Sequence, residues 1–524
     1  MLSEKIHNKI YLIGLCLLAA SLPVSVVGMS LAQIILFFNY LLEGKFYDKY
    51  KYLKNNYEIF FLPLVFLLHV IWLFIIKDQD LNYALNDLRI KLPLFVLPII
   101  IGTSRKIEQK ELHYIFFSFI TLMFSSGIII IIRYILKEDL NLGDYRKLSP
   151  YISHIRYSIL CVIASLISLY FLKNKHLKRY KSIWIFFFLF FLGIIYLLGA
   201  KTGLLILLIT YTLLIVFYIK RKIIKLIFLF IIFCVFSYSF FIGFKISREF
   251  YRGYNLLPNY KAKTLNNREY FFDLKNFSVE NGERVWFYIC EEELRKEWNK
   301  RSRIKYDSLD KKGHLIKYTI LRFLTSKNLP KDSFGIAMLS NKEIQAIENS
   351  ISNQNILYKN KIYNIIYEII WQIYHYKTTN YADGMSIIQR YLYLKAAIYI
   401  IKNNFLFGVG PGNVQKVFDK AYNELNINLS PKYRLRAHNQ FITFLITFGI
   451  FGFISILYFF FVPFLKNIKL SNWLATLIFF ISIISFLNED TLETQAGITF
   501  VLFFYVIFVF GVDKKIYDTK NFKF

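Results

Sequence analysis

Residues 407–452 read FGVGPGNVQKVFDKAYNELNINLSPKYRLRAHNQFITFLITFGIFG. A Gly-rich turn (Gly408, Gly410, Gly412) opens the stretch. The cluster Arg434-Leu435-Arg436-Ala437-His438-Asn439 stands at its centre, and an uninterrupted apolar helix is predicted to follow. Cationic and titratable groups thus meet the point at which a chain would enter a bilayer. Ionisable groups are costly to keep at such a boundary and ask for a functional reading.

The apolar helix that closes this stretch has counterparts along the whole chain. The sequence holds 524 residues, 56% hydrophobic and 19% aromatic, with only 10 prolines, and its mean hydropathy is +0.41. Several apolar runs approach the roughly 20 residues a helix needs to cross about 30 Å of hydrocarbon. Twelve windows read as spans: 10–28, 30–43, 58–76, 89–102, 112–135, 153–172, 182–199, 202–219, 223–244, 439–464, 471–487 and 496–512. A soluble domain would have to bury all of them, so the expected class is an all-α polytopic membrane protein. Pro93 and Pro98 predict a kinked or re-entrant fourth helix. The first run has no small-x-small cleavage site and leads into a second, so it reads as a retained span.

Charge placement orients these spans. With the N-terminus inside, the even-numbered loops should be cytoplasmic and basic. They carry Lys45, Lys49 and Lys51; Arg105, Lys106 and Lys110; Lys173, Arg179 and Lys181; Lys220, Arg221 and Lys222; Lys466 and Lys469; and Lys514 and Lys515 after the last span. Residues 488–495 hold no Lys or Arg. Both termini are therefore expected in the cytoplasm. Three regions result: residues 1–244 with spans one to nine, a large extracytoplasmic loop over 245–438, and 439–524 with the last three spans and a cytoplasmic tail. Within the loop, Glu291–Trp298 and Asn364–Tyr374 have apolar residues at helical spacing, which predicts amphipathic helices on the membrane face. The net charge of +30 is accounted for by topology and contact with a lipid bilayer rather than by nucleic acid. Cys16, Cys161, Cys234 and Cys290 show no metal or redox spacing.

The unusual polar residues converge on the outer face. Arg156 opens span six, and Lys201 sits in the turn between spans seven and eight. Arg390 begins a helical stretch late in the loop. Arg434, Arg436, His438 and Asn439 precede span ten, and Glu489 and Asp490 separate spans eleven and twelve. Arg156 and Lys201 read equally as interfacial anchors. Glu489 and Asp490 read as a solvated outer turn, and Gly408–Gly412 as a helix stop. Taken together, fixed cations without clustered carboxylates suit a phosphate or diphosphate. A histidine among cations is favoured in its neutral form, ready to act as a general base. No HExxH or P-loop is present, and neither a metal nor a cofactor is expected.

FGVGPGN followed by YRLRAHNQFITFLITFGIFG resembles the signature of the O-antigen ligase and polymerase superfamily, in versions like those of Bacteroidetes-type bacteria. GAKTGLL, SIIQRYLYLKAAIYIIKNN and NEDTLETQAGITF extend the likeness. The resemblance implies a GT-C-like fold with about 12 transmembrane helices in the bacterial inner membrane. It also implies inverting, metal-independent glycosyl transfer at the periplasmic face. The donor would be a glycan on undecaprenyl diphosphate and the acceptor lipid A–core or another glycan. His438 maps onto the family's general base, while Arg390 and Lys201 map onto its diphosphate-binding residues. Many relatives carry Arg where this chain has Lys201. Arg436 and Arg156 join the diphosphate set, with Asn439, Arg434, Gly408, Gly410 and Glu489 in support. Polymerase and protein O-glycosylation readings share this site logic. A lipid-linked glycan flippase is the reading from a different class, against which the apolar mid-membrane segments count.

Overall fold

The computed structural model describes residues 3–136, 145–470 and 472–513. Lys514, Lys515 and the rest of the expected cytoplasmic tail lie outside these residues. The first half runs through α1 (Glu4–Ser21), α2 (Val26–Glu43), α3 (Phe46–Asn55), α4 (Phe61–Ile75), α5 (Leu81–Lys91), α6 (Pro93–Thr103), α7 (Gln109–Leu136), α8 (His154–Lys173), α9 (Lys181–Leu198), α10 (Lys201–Leu213) and α11 (Lys222–Tyr254). Among the described residues eight helices are long and apolar enough to cross a membrane. They are α2, α4 with the turn before it, α7, α8, α9, α10 with the turn after it, α11 and Gln440–Asn467. The chain is a multi-pass, all-α membrane protein.

The other four of the twelve windows coincide with shorter or more polar helices. The first turns of α1 carry Glu4, Lys5 and Lys9. The fourth window is two short helices, α5 and α6, meeting at Leu92, with Pro93 at the first position of α6, where a missing N–H costs nothing. Trp473–Asn488 has 16 residues, about 24 Å of helix. Gln495–Val506 is extended by a π-turn to Gly511.

Burial grades the bundle. In α8, 78% of the span is buried, against 6% in α11, so α8 is the axis and α11 the outermost helix. A buried helix at membrane depth must satisfy its hydroxyls internally. Ser168 donates to the Ala164 carbonyl, and Ser165 bonds the Val162 carbonyl and the Tyr211 hydroxyl. At one end of the bundle Lys466 reaches Tyr57 (2.7 Å) and Glu58 (3.2 Å), and Lys106 donates to the Phe510 carbonyl (2.5 Å).

The large loop differs from the expected layer of surface helices. Its boundary at 244/245 falls inside α11, which continues to Tyr254. A hairpin, β1 (Val279–Glu280) with β2 (Glu283–Arg284), turns through Asn281 and Gly282, both at positive φ (49° and 87°), the conformation an Asn-Gly hairpin favours. α12 (Glu291–Arg301), α13 (Ile316–Ser326), α14 (Ser333–Ala337), α15 (Asn341–Glu348) and α16 (Gln354–Tyr358) follow. Leu294 and Trp298 of α12 are fully enclosed with Ile320, Phe323, Leu324 and Ile347. The predicted amphipathic face of Glu291–Trp298 therefore closes a small globular core instead of lying on a membrane. α17 (Lys361–Thr379) sets Tyr367 and Tyr374 against Phe250 of α11. α18 (Ser386–Asn403) and α19 (Val414–Glu424) build a second core from Leu392, Tyr393, Phe418 and Tyr422, which Ile446 completes.

The chain ends in α20 (Gln440–Asn467), α21 (Trp473–Asn488) and α22 (Gln495–Val506). The helix expected to run uninterrupted from residue 440 is broken at Gly449, with φ 63° and ψ −171°. Such a break frees backbone groups that the apolar surroundings cannot satisfy. The Gly-rich turn supplies the partners: Val409 donates to Ile446 O and Gly410 to Thr447 O (both 2.9 Å), while Ile450 donates to Phe405 O (2.8 Å). The turn is thus more than a helix stop, because it is spliced into the gap in α20. Gly408 (φ 70°) has no room for a Cβ, which would lie 2.5 Å from Gly449 N and from the Ile446 and Thr447 carbonyls.

Candidate functional site

The site is assembled at the ends of five helices. Asn439 caps α20, accepting from Ile442 N (3.1 Å) and donating to the Leu487 carbonyl at the end of α21 (3.0 Å). This ties the start of one helix to the end of its neighbour. His438, immediately before the cap, holds φ 49°, an uncommon conformation that costs about 1–3 kcal/mol for a side-chain-bearing residue. Its ring packs 5.7 Å from that of Tyr393 on α18. The Tyr393 hydroxyl is itself fixed on the Tyr433 carbonyl (2.8 Å).

Glu489, the residue after α21, is the hub. One carboxylate oxygen lies 3.1 Å from the Arg390 guanidinium and the other 3.4 Å from His438 Nδ1. The expected solvated turn is thus an enclosed one, with the Glu489 side chain 18% exposed. A carboxylate beside Nδ1 favours the proton there and leaves the Nε2 lone pair for another group. Arg156, in the first turn of α8, also feels the Glu489 charge. Ser153 accepts from its backbone N (3.4 Å) and caps that helix.

Beyond Arg390 an open groove of about 510 Å³ is lined by His154, Lys201, Glu368, Ser386, Arg390 and Asn488, among others. Lys201 is the first residue of α10, presented by the left-handed Gly199 (φ 59°), and it pairs with Glu368 of α17 at 3.1 Å. The sequence expectation of cations free of carboxylates does not hold. Arg390, Lys201 and Arg436 each carry a carboxylate partner.

Arg436 belongs to an adjoining buried network that the sequence reading missed. It meets one oxygen of Glu493 at 3.0 Å, and Lys91 meets the other at 3.0 Å; Lys91 also pairs with Asp87 at 2.9 Å. Gln440 donates to Glu493 (2.9 Å) and accepts from Leu492 N (2.8 Å). Burial alone would raise the Glu493 carboxyl, but Lys91 and Arg436 outweigh it and hold the group well below the usual carboxylate range. Burial pushes neighbouring Asp490 up, although Thr443 donates to it (2.7 Å). The only sequence signal was the acidic run Glu489, Asp490, Glu493. Nothing local pointed to Lys91.

Other expected site residues lie apart from the groove. Arg434 is tied into the loop by Asn423 (2.7 Å) and the Leu429 carbonyl (3.0 Å). Gly410 packs on Gln79, which also accepts from Gly412 N (2.9 Å). Both glycines hold scaffold, not groove wall.

Residues 334–457 match the family model for O-Antigen ligase. That match covers about a quarter of the sequence and makes this segment similar to O-antigen ligases. The matched segment includes Arg390, the Gly-rich turn, Arg436, His438 and the break at Gly449. Lys201, Arg156, Glu489 and Glu493 lie outside it, so helices beyond the matched segment complete the cluster. No curated protein matches the chain.

Proposed function

We propose that the chain is a glycosyltransferase of the O-antigen ligase type, moving a glycan from undecaprenyl diphosphate to lipid A–core at the periplasmic face of the inner membrane. The observation that carries this reading is Glu489 holding Arg390 and His438 on its two oxygens, next to a groove that Lys201 also lines. One carboxylate thereby sets a phosphate-binding cation and a base beside each other.

Arg390 and Lys201 bind the diphosphate, and they stabilise its charge as the sugar–phosphate bond breaks. Arg156 and Arg436 add positive potential behind them. The acceptor hydroxyl attacks the anomeric carbon from the face opposite the diphosphate, forming the new C–O bond with inversion. His438 Nε2 takes the hydroxyl proton, and undecaprenyl diphosphate leaves with the bonding pair. The diphosphate needs no acid to depart, and the cations supply the charge neutralisation that a metal would.

His438→Ala is expected to lower transfer by about 10²–10⁴-fold while the protein remains inserted; near-normal transfer would sink the assignment. Deletion of the gene, followed by lipopolysaccharide electrophoresis, separates the reactions. Loss of every ladder band with accumulated lipid-linked polymer supports ligation. A core bearing one repeat identifies a polymerase, and unchanged lipopolysaccharide excludes both.

A further inference from the structure

A second cavity, of about 180 Å³, lies in the globular part of the large loop. Glu283, Arg284, Tyr288, Thr325, Asn328 and Lys331 are among its lining residues. Two of these are cations that are almost fully enclosed: Arg284 is 4% exposed and Lys331 3%. Their surroundings give them little. Arg284 is stacked between Phe277 (4.3 Å) and Phe287 (5.0 Å) and donates one bond, to the Leu274 carbonyl (3.3 Å). Its Nε and Nη1 have no hydrogen-bond partner among the described residues. Lys331 donates to the Arg284 carbonyl (3.2 Å). Glu283, which acts on Lys331, is engaged at 3.5 Å by Arg252, and Asp273, which acts on Arg284, accepts from the backbone N–H groups of Lys275 and Asn276.

Charges buried together without a counterion are strongly disfavoured, and a protein relieves them by neutralising one or by admitting an ion of opposite sign. The first remedy is visible: burial, only partly offset by Glu283, pushes the Lys331 amine down to about 7. The second is what the cavity is shaped for. Arg284 has fixed, unused donors, Lys331 has two spare N–H groups, and Asn328 adds a neutral polar group to the lining, while the Thr325 hydroxyl is spent on the Leu321 carbonyl (2.7 Å).

We propose that this cavity is an anion site taking a compact tetrahedral oxyanion, such as the phosphate of a soluble metabolite or of a lipid headgroup. It is separate from the groove at Arg390: the two cavities share no lining residue. Binding recharges Lys331, satisfies Arg284 and braces the hairpin against the turn after α13.

The test is hydrogen exchange on the full chain in phosphatidylcholine nanodiscs, with sulfate as the probe. Sulfate is expected to slow exchange over 284–288 and 325–331 by about fivefold or more. Asn328 holds φ 55°, which Asp also tolerates, so Asn328→Asp keeps the turn while placing a negative charge in the cavity. That variant and Lys331→Met are both expected to lose the response, whereas Arg390→Ala is expected to keep it. Slowing in phosphatidylglycerol nanodiscs without sulfate assigns the anion to lipid. Slowing by sulfate alone assigns it to a soluble species. The proposal is overturned if neither slows exchange, if the slowing survives Asn328→Asp and Lys331→Met, or if Arg390→Ala abolishes it.

Discussion

Glu489 touches two residues that would do different jobs, so its removal should produce a compound defect. Glu489→Gln keeps the shape but loses the charge that orients His438 and Arg390. Its turnover is expected to fall by about 10–100-fold, less than the loss of the whole base would cost, with a smaller change in donor KM. Single-turnover assays on lipid-linked glycan would check the split. Glu368 predicts the opposite sign. It neutralises Lys201 across an exposed pair of the kind worth about 0.2–1 kcal/mol. Glu368→Gln therefore frees a cation, and donor KM should fall by up to about fivefold. An increase would mean that Glu368 contacts the substrate. His438 and Arg390 were legible because their types and positions stand out against apolar neighbours. Glu489 was legible as a polar residue at the same face but not as their shared partner, and Glu368 was not legible at all, since pairing across 167 residues (Lys201–Glu368) leaves no local trace.

At the scale of elements, the break in α20 sets where His438 stands. A Cβ at Gly449 would collide with the Leu406 carbonyl, and the residue sits at φ 63°. Gly449→Ala is expected to destabilise by more than about 1 kcal/mol and to lower transfer in parallel, although residue 449 lies 11 positions from the histidine. Thermal melts in detergent and transfer assays on the same preparation would test this; a wild-type melt would show that the helix can close. The apolar run gave the helix correctly, because hydrophobic length is a property of the segment itself. It could not give the break. A glycine in an apolar helix is ordinarily tolerated, and the groups that make this one a gap belong to residues 405–410.

Across the whole molecule, Glu493 joins chain regions some four hundred residues apart by holding Lys91 and Arg436 at once. Glu493→Gln leaves Lys91 buried with Asp87 alone, a loss of about 3–5 kcal/mol on the scale of broken buried pairs. The pH dependence has a definite sign. Because the folded carboxyl is held below its ordinary value near 4.5, its stabilisation is complete above that value and is lost as pH falls beneath it. Melting temperatures of the wild type should drop between pH 5 and 3 (roughly the window below the unfolded value) more steeply than those of Glu493→Gln. Asp490, which burial and the Glu493 charge push up, acts in the opposite direction and less so in Glu493→Gln, so the difference between the two proteins understates the Glu493 effect.

The Gly-rich turn lodged in α20 also bears on how the protein is made. Ribosomes deliver residues 405–410 before 446–450, so the plug exists before the socket. Entering the bilayer alone, the broken span would carry open carbonyls at Ile446 and Thr447, each costing several kcal/mol in hydrocarbon. Its integration is therefore coupled to the arrival of the preceding loop. Biogenesis then has an order: the loop first, locking of α20 second, and the histidine in place only after both.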